Sequence, residues 1–324
     1  VCGIYSQTML IKAWWQDSLQ VGCLCRVLPL GGPEWVGKLV LIIEVIESSA
    51  GGRLIYRICD GVGSTTNRKN LLPEYKSNRN IQRITNWDGF DNVDDENDAR
   101  IDQISRLIHY LHCLPVKTIS IDKVEADDVI SHLSAKFSTE YDSNVFIVSS
   151  DKDFVQLISP KINFFSPTER IFYTPEKITE KFGVHPDNFI LYKTLLGDAS
   201  DVVKGVKGLG PKKLFKLFGE LKEKILSLED IFEICEKKHK EHVIYSQILL
   251  NENSIRNNYK VMDLRNPLIN DNDKEVIDSL IKTQTPSLRM DVFMHMFNED
   301  GMVRIINNVE WWLRKNFLKL NNIK

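Results

Sequence analysis

Glu125-Ala126-Asp127-Asp128, Asp151-Lys152-Asp153 and Asp198-Ala199-Ser200-Asp201 place closely spaced carboxylates at three points in the chain, and Asp60 adds a fourth. On a helix, Glu125 and Asp128 share a face, and Asp127 lies about 100° round on the neighbouring one. Eight carboxylates gathered in one site repel each other strongly unless a cation neutralises them. All are oxygen donors, so the matching ion is a hard one, Mg2+ first and Mn2+ as its substitute. Two such ions about 4 Å apart can activate a water, position a phosphodiester and stabilise the leaving oxygen. Taken singly, each pair also suits a helix N-terminus, where acids cap the chain and complement the dipole. Three in succession, each after a strand or at a helix start, favour the metal reading.

Two stretches have the composition of phosphate grips. Val203-Lys204-Gly205-Val206-Lys207-Gly208-Leu209-Gly210 follows the third acid pair and precedes a helix expected from Pro211. Glycines at this spacing let a backbone approach a phosphate, and the next helix presents free N–H groups to it. Lys204, Lys207, Lys212, Lys213 and Lys216 surround this hairpin with positive charge. Residues 64–83 carry Arg68, Lys69, Lys76, Arg79 and Arg83 against one acid, Glu74, with Tyr75 and Asn78 interleaved. Basic side chains neutralise phosphates and a tyrosine can stack on an unpaired base, although a solvated basic loop has the same composition.

The elements that must position these groups read as follows. Residues 24–28, 35–46 and 53–59 are short strands separated by glycine-rich turns. An acidic stretch, 88–98, reads as a solvated loop. From Arg100 to about Ser200, helix and strand alternate. Ile101, Ile104, Leu107, Ile108 and Leu111 recur at helical spacing, 118–121 and 145–149 are apolar strands, and 126–137 is a helix between them. That alternation predicts a parallel α/β sheet with helices on its faces, and its ligands gather at the carboxyl ends of strands, where Asp151 and Asp153 fall. Beyond Asp201 the chain reads as helices, ending in an amphipathic one through Val309, Trp312 and Phe317. Trp311, Trp312 and Phe317 suit core packing better than a docking surface.

Composition narrows the class without deciding it. The chain has 324 residues, 43% hydrophobic and 27% charged, with a net charge of -2. A near-neutral sum does not argue against a polyanionic partner, because the local clustering of positive charge decides. The longest apolar runs, 39–46 and 145–148, are strand-sized, so no membrane span is expected. Cys23 and Cys25 are too close for a zinc knuckle and no histidine pair completes a site; the six cysteines read as free thiols in a reducing cytoplasm. The chain opens on Val1 rather than Met, as a fragment or a processed form would, and no charged-then-apolar leader pattern is expected there.

In order and spacing, Asp60-Gly61, Pro73-Glu74-Tyr75-Lys76-Ser77-Asn78-Arg79, Glu125-Ala126-Asp127-Asp128, Ser150-Asp151-Lys152-Asp153-Phe154 and Gly197-Asp198 through Gly210 resemble the 5′-nuclease, or flap endonuclease, family. The nearest in character are the bacteriophage replication enzymes and the 5′-nuclease domain of bacterial DNA polymerase I. The resemblance runs from about residue 60 to 220. It implies a PIN-like, mostly parallel α/β sheet flanked by helices in 59–196, and a helical region in 197–324 with a helix–two-turn–helix element. Asp60, Glu125, Asp127 and Asp128 would serve the metal nearer the scissile phosphate, with Asp151 and Asp153 shared or adjacent, and Asp198 and Asp201 completing the second site. Lys76 and Arg79 would contact the reacting phosphate at the base of a helical arch, with Tyr75 packed or stacked nearby. Arg68, Lys69 and Arg83, with Lys204, Gly205, Lys207, Gly208, Gly210, Lys212 and Lys213, would contact DNA, with K+ at the glycine hairpin. The implied activity is hydrolysis of DNA at 5′ flaps and free 5′ ends, with nicked or branched duplexes and RNA–DNA primers as further substrates. The implied setting is a monomer beside replication-fork proteins in a bacterial or phage-infected cytoplasm. A chain lacking part of the site would instead bind branched DNA without cutting it.

The sequence departs from the family at one place. The family begins with an apolar strand ending in an Asp-Gly-like motif some forty residues before Asp60. Asp17 lies at that distance but follows a poor strand, whereas Glu44 follows a good strand but lies too close. Residues 21–57 read instead as a small SH3-like barrel, within an atypical β-rich segment expected over 1–58.

Overall fold

The computed structural model describes residues 41–46, 53–80, 91–304, 306 and 308–318. Its centre is a six-stranded sheet made of β1 (Leu41–Ile46), β2 (Arg53–Asp60), β3 (Lys117–Ile121), β4 (Asn144–Val148), β5 (Ile162–Ser166) and β6 (Ile171–Tyr173), in the order β3-β2-β1-β4-β5-β6. β2 pairs parallel with β3, and β4 parallel with β5, while β1 is antiparallel to both of its neighbours and β6 antiparallel to β5. Four strands therefore share one direction, and β1 and β6 run against them. The sheet is thus mostly parallel in strand direction, as expected, with β1 and β6 as its two reversed strands.

β1 and β2 correct the expectation for the N-terminal segment. Rather than closing an SH3-like barrel, they form a hairpin in the middle of the α/β sheet, so a boundary at 58/59 falls inside a strand. The other expected barrel strand, 24–28, and Asp17 lie outside the described residues. The reversal of β1 also decides which of its ends reaches which edge. Leu41 pairs with Ile58 and Ile42 with Val148, so the first residue of β1 lies where its neighbours end.

Alternation along β2 sends Ile55 to one face and Tyr56 and Ile58 to the other, and all three are buried. On the second face packs α3 (Ala126–Thr139), the crossover from β3 to β4, through Val129, Ile130, Leu133 and Phe137. α10 (Asp271–Ile281) joins this core through Ile277 and Ile281. Ile55 meets the opposite core, formed by α2 (Val93–His112), α11 (Met290–Glu299) and α12 (Val309–Phe317). α12 buries Trp312 and Phe317 as expected and leaves Trp311 54% exposed, so Trp311 is not a core residue.

α2 begins inside the acidic stretch read as a loop. Asn92 caps it by accepting from the Asp95 N–H, and Asp94, Asp95 and Glu96 occupy its first turn. Negative charge there complements the helix dipole, so the acids help to start the helix. Its buried stripe is Leu107, Tyr110 and Leu111, whereas Ile101 is exposed. Among the described residues no helix is long and apolar enough to cross a membrane.

The C-terminal half is helical, as expected. α5 (Phe189–Leu196), the two-stranded ribbon β7 (Gly197–Asp198) with β8 (Val203–Lys204), and α6 (Pro211–Leu217) lead into α7 (Leu228–Lys238), α8 (Val243–Leu250) and α9 (Glu252–Met262) around a third core.

Candidate metal centre

The parallel strands deliver three of the acids to one edge. Asp60 ends β2, Asp127 stands in the first turn of α3, and Asp151 follows β4. The turn after β2 works only with glycine: a Cβ on Gly61 would lie 1.8 Å from the Ile121 carbonyl oxygen. Asp60 also caps α3, its Oδ1 accepting the Ala126 N–H at 2.8 Å. The ribbon supplies the remaining pair. Gly197, at φ +79, and Gly205 cross backbone to backbone, and a Cβ on Gly205 would lie 2.2 Å from the Leu196 carbonyl carbon. This crossing fixes where Asp198 and Asp201 emerge. Across the cleft, the Lys76 N–H donates to the Asp201 carbonyl at 2.9 Å. Lys76, at φ 53, and Val202, at φ 61, both adopt the left-handed region that a side chain disfavours. Local strain of this kind persists only where surrounding contacts hold it, and it concentrates at functional sites.

The eight acids separate into layers. Asp60, Asp127, Asp151, Asp153, Asp198 and Asp201 line one open cleft of about 630 Å3, with Lys76, Tyr192 and Lys193. Glu125 lies beneath them, 1% exposed, taking Lys76 Nζ at 2.7 Å, the Tyr75 hydroxyl at 3.1 Å and an Arg68 nitrogen at 3.0 Å. Asp128 lies behind, held by the Arg68 guanidinium and by the Leu268 N–H at 3.0 Å. Glu125 is the extended N-cap residue of α3 rather than a member of a helical face with Asp128, yet the two acids share Arg68 as partner.

Three expectations are corrected by this arrangement. Asp128 is occupied by Arg68 and lies away from the cleft, so it is not positioned to hold a metal. Arg68 is 3% exposed and clamps two acids and the Val261 carbonyl, so it is not a DNA contact. Tyr75 is equally buried, its hydroxyl bridging Glu125 and Asp201, and it has no free face to stack on a base. Lys69 is half-buried, and Lys204, Lys207, Gly208, Lys212 and Lys213 are exposed. Lys213 Nζ closes the hairpin by donating to the Gly208 carbonyl at 2.7 Å, and Lys204 pairs with Glu74. Gly208, at φ +77, and Gly210 have open space where a side chain would project. Gly205 packs against backbone instead. Arg79 stands in the 3-10 turn Ser77–Asn80, and its side chain, with the whole of Arg83, lies outside the described residues.

Lys193 is the functional residue that sequence reasoning missed. It reaches back from the last turn of α5 to join Asp153 and Asp198, the latter at 2.6 Å. The available signal was its solitary charge in the apolar run Phe189–Leu196. Burial and the negative charge of Asp151 push the Asp153 carboxyl up to about 6 despite Lys193. Burial acts on Asp198 in the same direction, but Lys193 and Ser200 hold it down to about 2. Asp127 is held well above the usual carboxylate range by burial and by Asp151. Burial also raises the Tyr75 hydroxyl, and Glu125 adds to the effect, so it stays protonated and donates.

The cleft offers six oxygen-donor acids from four elements and no sulfur or imidazole, the donor chemistry of a hard divalent ion. Among the described residues no three acids converge on one point as they stand. The oxygens of Asp60, Asp151, Asp153 and Asp198 are turned to Lys193 and to backbone N–H groups at Ala126, Asp153 and Ser200, and Asp201 accepts from the Tyr75 hydroxyl. Convergence on a metal needs these contacts to loosen, and the mutual repulsion of the acids favours that exchange.

The profile of the 5′-3′ exonuclease N-terminal, resolvase-like domain matches residues 35–183. A 5′-3′ exonuclease of Buchnera aphidicola from Schizaphis graminum is 34% identical over 198 residues, 60% of this chain and 63% of that protein. DNA polymerase I of Bacillus subtilis is 30% identical over 209 residues, 63% of this chain but 22% of the polymerase. The chain thus spans less than two thirds of the length of these relatives. Among solved structures, a bacteriophage T5 flap endonuclease in complex with DNA and metal ions superposes with a TM-score of 0.51 at 21% identity, covering 77% of this chain and 82% of that one. At that identity the likeness establishes the fold. Over residues 35–183 the chain is thus similar to the N-terminal resolvase-like domain of 5′-3′ exonucleases.

Proposed function

We propose that the protein is a metal-dependent 5′-3′ exonuclease and 5′-flap endonuclease acting on DNA during replication. The observation that carries this reading is the cleft itself: six acids gathered beside the carboxyl ends of the parallel strands, with Lys76 among them and an exposed lysine-bearing hairpin following Asp201 in the chain. Asp60 and Asp127 with Asp151 would hold one ion, and Asp153, Asp198 and Asp201 the other. Two Mg2+ ions, or Mn2+ in their place, would supply an activated water and neutralise charge on the scissile phosphate and leaving oxygen. Lys76, held by Glu125 at the cleft wall, would stabilise charge developing on that phosphate, with Arg79 beside it. Glu125 positions Lys76, and Arg68 in turn positions Glu125. Lys207, Lys212 and the N–H groups around Gly208 and Gly210 would grip the duplex backbone, with K+ a candidate at the hairpin. Nicked duplexes and RNA–DNA primers fit the same chemistry, and a monomer in the cytoplasm is the expected form.

A second reading, binding of branched DNA without cutting, is favoured by the reversal of β1. The central strand brings Leu41 to the metal edge, and its only acid, Glu44, pairs with Phe146 and Ile55 in mid-strand. Among the described residues, therefore, the central strand contributes no carboxylate at that edge. A polarity assay tests the main reading. A duplex with a labelled 5′ flap should be cut near the junction in Mg2+, and a matched 3′ flap left intact. Equal cutting of both, or of neither, contradicts the proposal, and tight binding without cutting supports the second reading.

A further inference from the structure

Lys152 stands between two acids of the cleft, in Asp151-Lys152-Asp153, yet its charge is drawn away from both. Its Nζ pairs at 2.9 Å with Glu169, in the turn between β5 and β6. Glu169 is itself held in place by further donors. Lys181 Nζ donates to both its oxygens at 2.6 Å, and the Tyr173 hydroxyl donates to Oε2 at 2.5 Å. Tyr173 belongs to β6 and Lys181 to α4 (Pro175–Phe182), so two further elements fix the acceptor. The turn is tight, with Arg170 at φ 56 directly after Glu169.

Three lysines line the cleft, and two of them already engage its acids or their neighbour: Lys76 on Glu125, and Lys193 on Asp153 and Asp198, whereas Lys152 is on Glu169. A third cation falling back onto Asp151 or Asp153 would compete with a divalent ion for the same oxygens. We propose that Glu169 is a positioning residue for the metal centre: it holds the Lys152 ammonium off the Asp151 and Asp153 carboxylates and keeps them available to a divalent cation. This inference rests on the metal-centre reading above. It concerns electrostatics alone, because neither Glu169 nor Lys152 is assigned as a ligand.

The test is Mn2+ binding to the full chain by calorimetry, comparing wild type, Glu169→Gln, Lys152→Gln and the double variant. A single charge brought to about 6 Å from a divalent ion in a water-like medium weakens binding about tenfold, which is the loss expected for Glu169→Gln. Removing the offending charge should restore it, so the double variant should bind at least as tightly as wild type. Lys152→Gln alone, which leaves the turn between β5 and β6 intact, should do the same. Unchanged affinity in Glu169→Gln, or a double variant as weak as the single one, overturns the inference; the latter would mean that Glu169 acts only by holding that turn together. Failure of wild type itself to bind Mn2+ would instead overturn the metal-centre reading, and the inference with it.

Discussion

Arg68 and Asp153 show how differently two charges near one cleft behave. Arg68 is buried against Glu125 and Asp128, so Arg68→Ala leaves buried Asp128 without its cation and Glu125 with Lys76 alone. Loss of one partner from such a cluster costs about 3–5 kcal/mol. Denaturant unfolding should show that loss, whereas Lys69→Ala on the same short helix, α1 (Thr66–Leu71), should stay within about 0.5 kcal/mol. Asp153 acts in the opposite sense. Its proton is held more tightly in the folded chain, up to about 6 against an ordinary 3.8. The carboxylate therefore costs stability, a cost absent below pH 3.8 that grows as pH rises and is complete above about 6. In chelator, Asp153→Asn should match wild type near pH 3.5 and melt higher at pH 7.5. A variant that melts lower at pH 7.5 would show that the Lys193 bridge outweighs the burial and repulsion.

At the scale of elements, the acids and the glycine hairpin were legible because type and spacing carry them, and the apolar runs fixed β3, β4 and α3 to within a residue or two. Direction was not legible. A short apolar run such as Leu41–Ile46 packs equally well either way round, and hairpin pairing with Arg53–Asp60 decides it. β5 and β6 escaped notice because Ile162–Ser166 and Ile171–Tyr173 are short and interrupted by Asn163 and the turn around Glu169. Partner choice was equally hidden: nothing local tells Asp127, which faces the cleft, from Asp128, which faces Arg68. The ribbon and α6 carry their own prediction. Lys207 and Lys212 are exposed on the hairpin and the helix after it. Replacing both with alanine should weaken duplex binding and lower the salt slope by about two. An unchanged slope would take the hairpin off the DNA-binding face.

Across the molecule, the sheet with α3 and α10 forms one core, and α2, α11 and α12 seal the opposite face through Ile55 and Trp312. The helical half meets the sheet at the cleft, where Tyr75, Ile190, Val203, Val261 and Met262 pack together beneath the acids. The site is therefore assembled from distant parts of the chain, with the Lys76 to Asp201 backbone contact joining its two sides. On the proposed function these acids form a working metal centre although the described residues of the middle strand contribute none. The most direct measurement is cleavage of a labelled 5′-flap duplex in Mg2+, beside a chelator control and the Asp151→Asn variant. Cutting near the junction is expected, lost with chelator and lost in the variant. Cutting that survives in Asp151→Asn would contradict the assignment of this cleft.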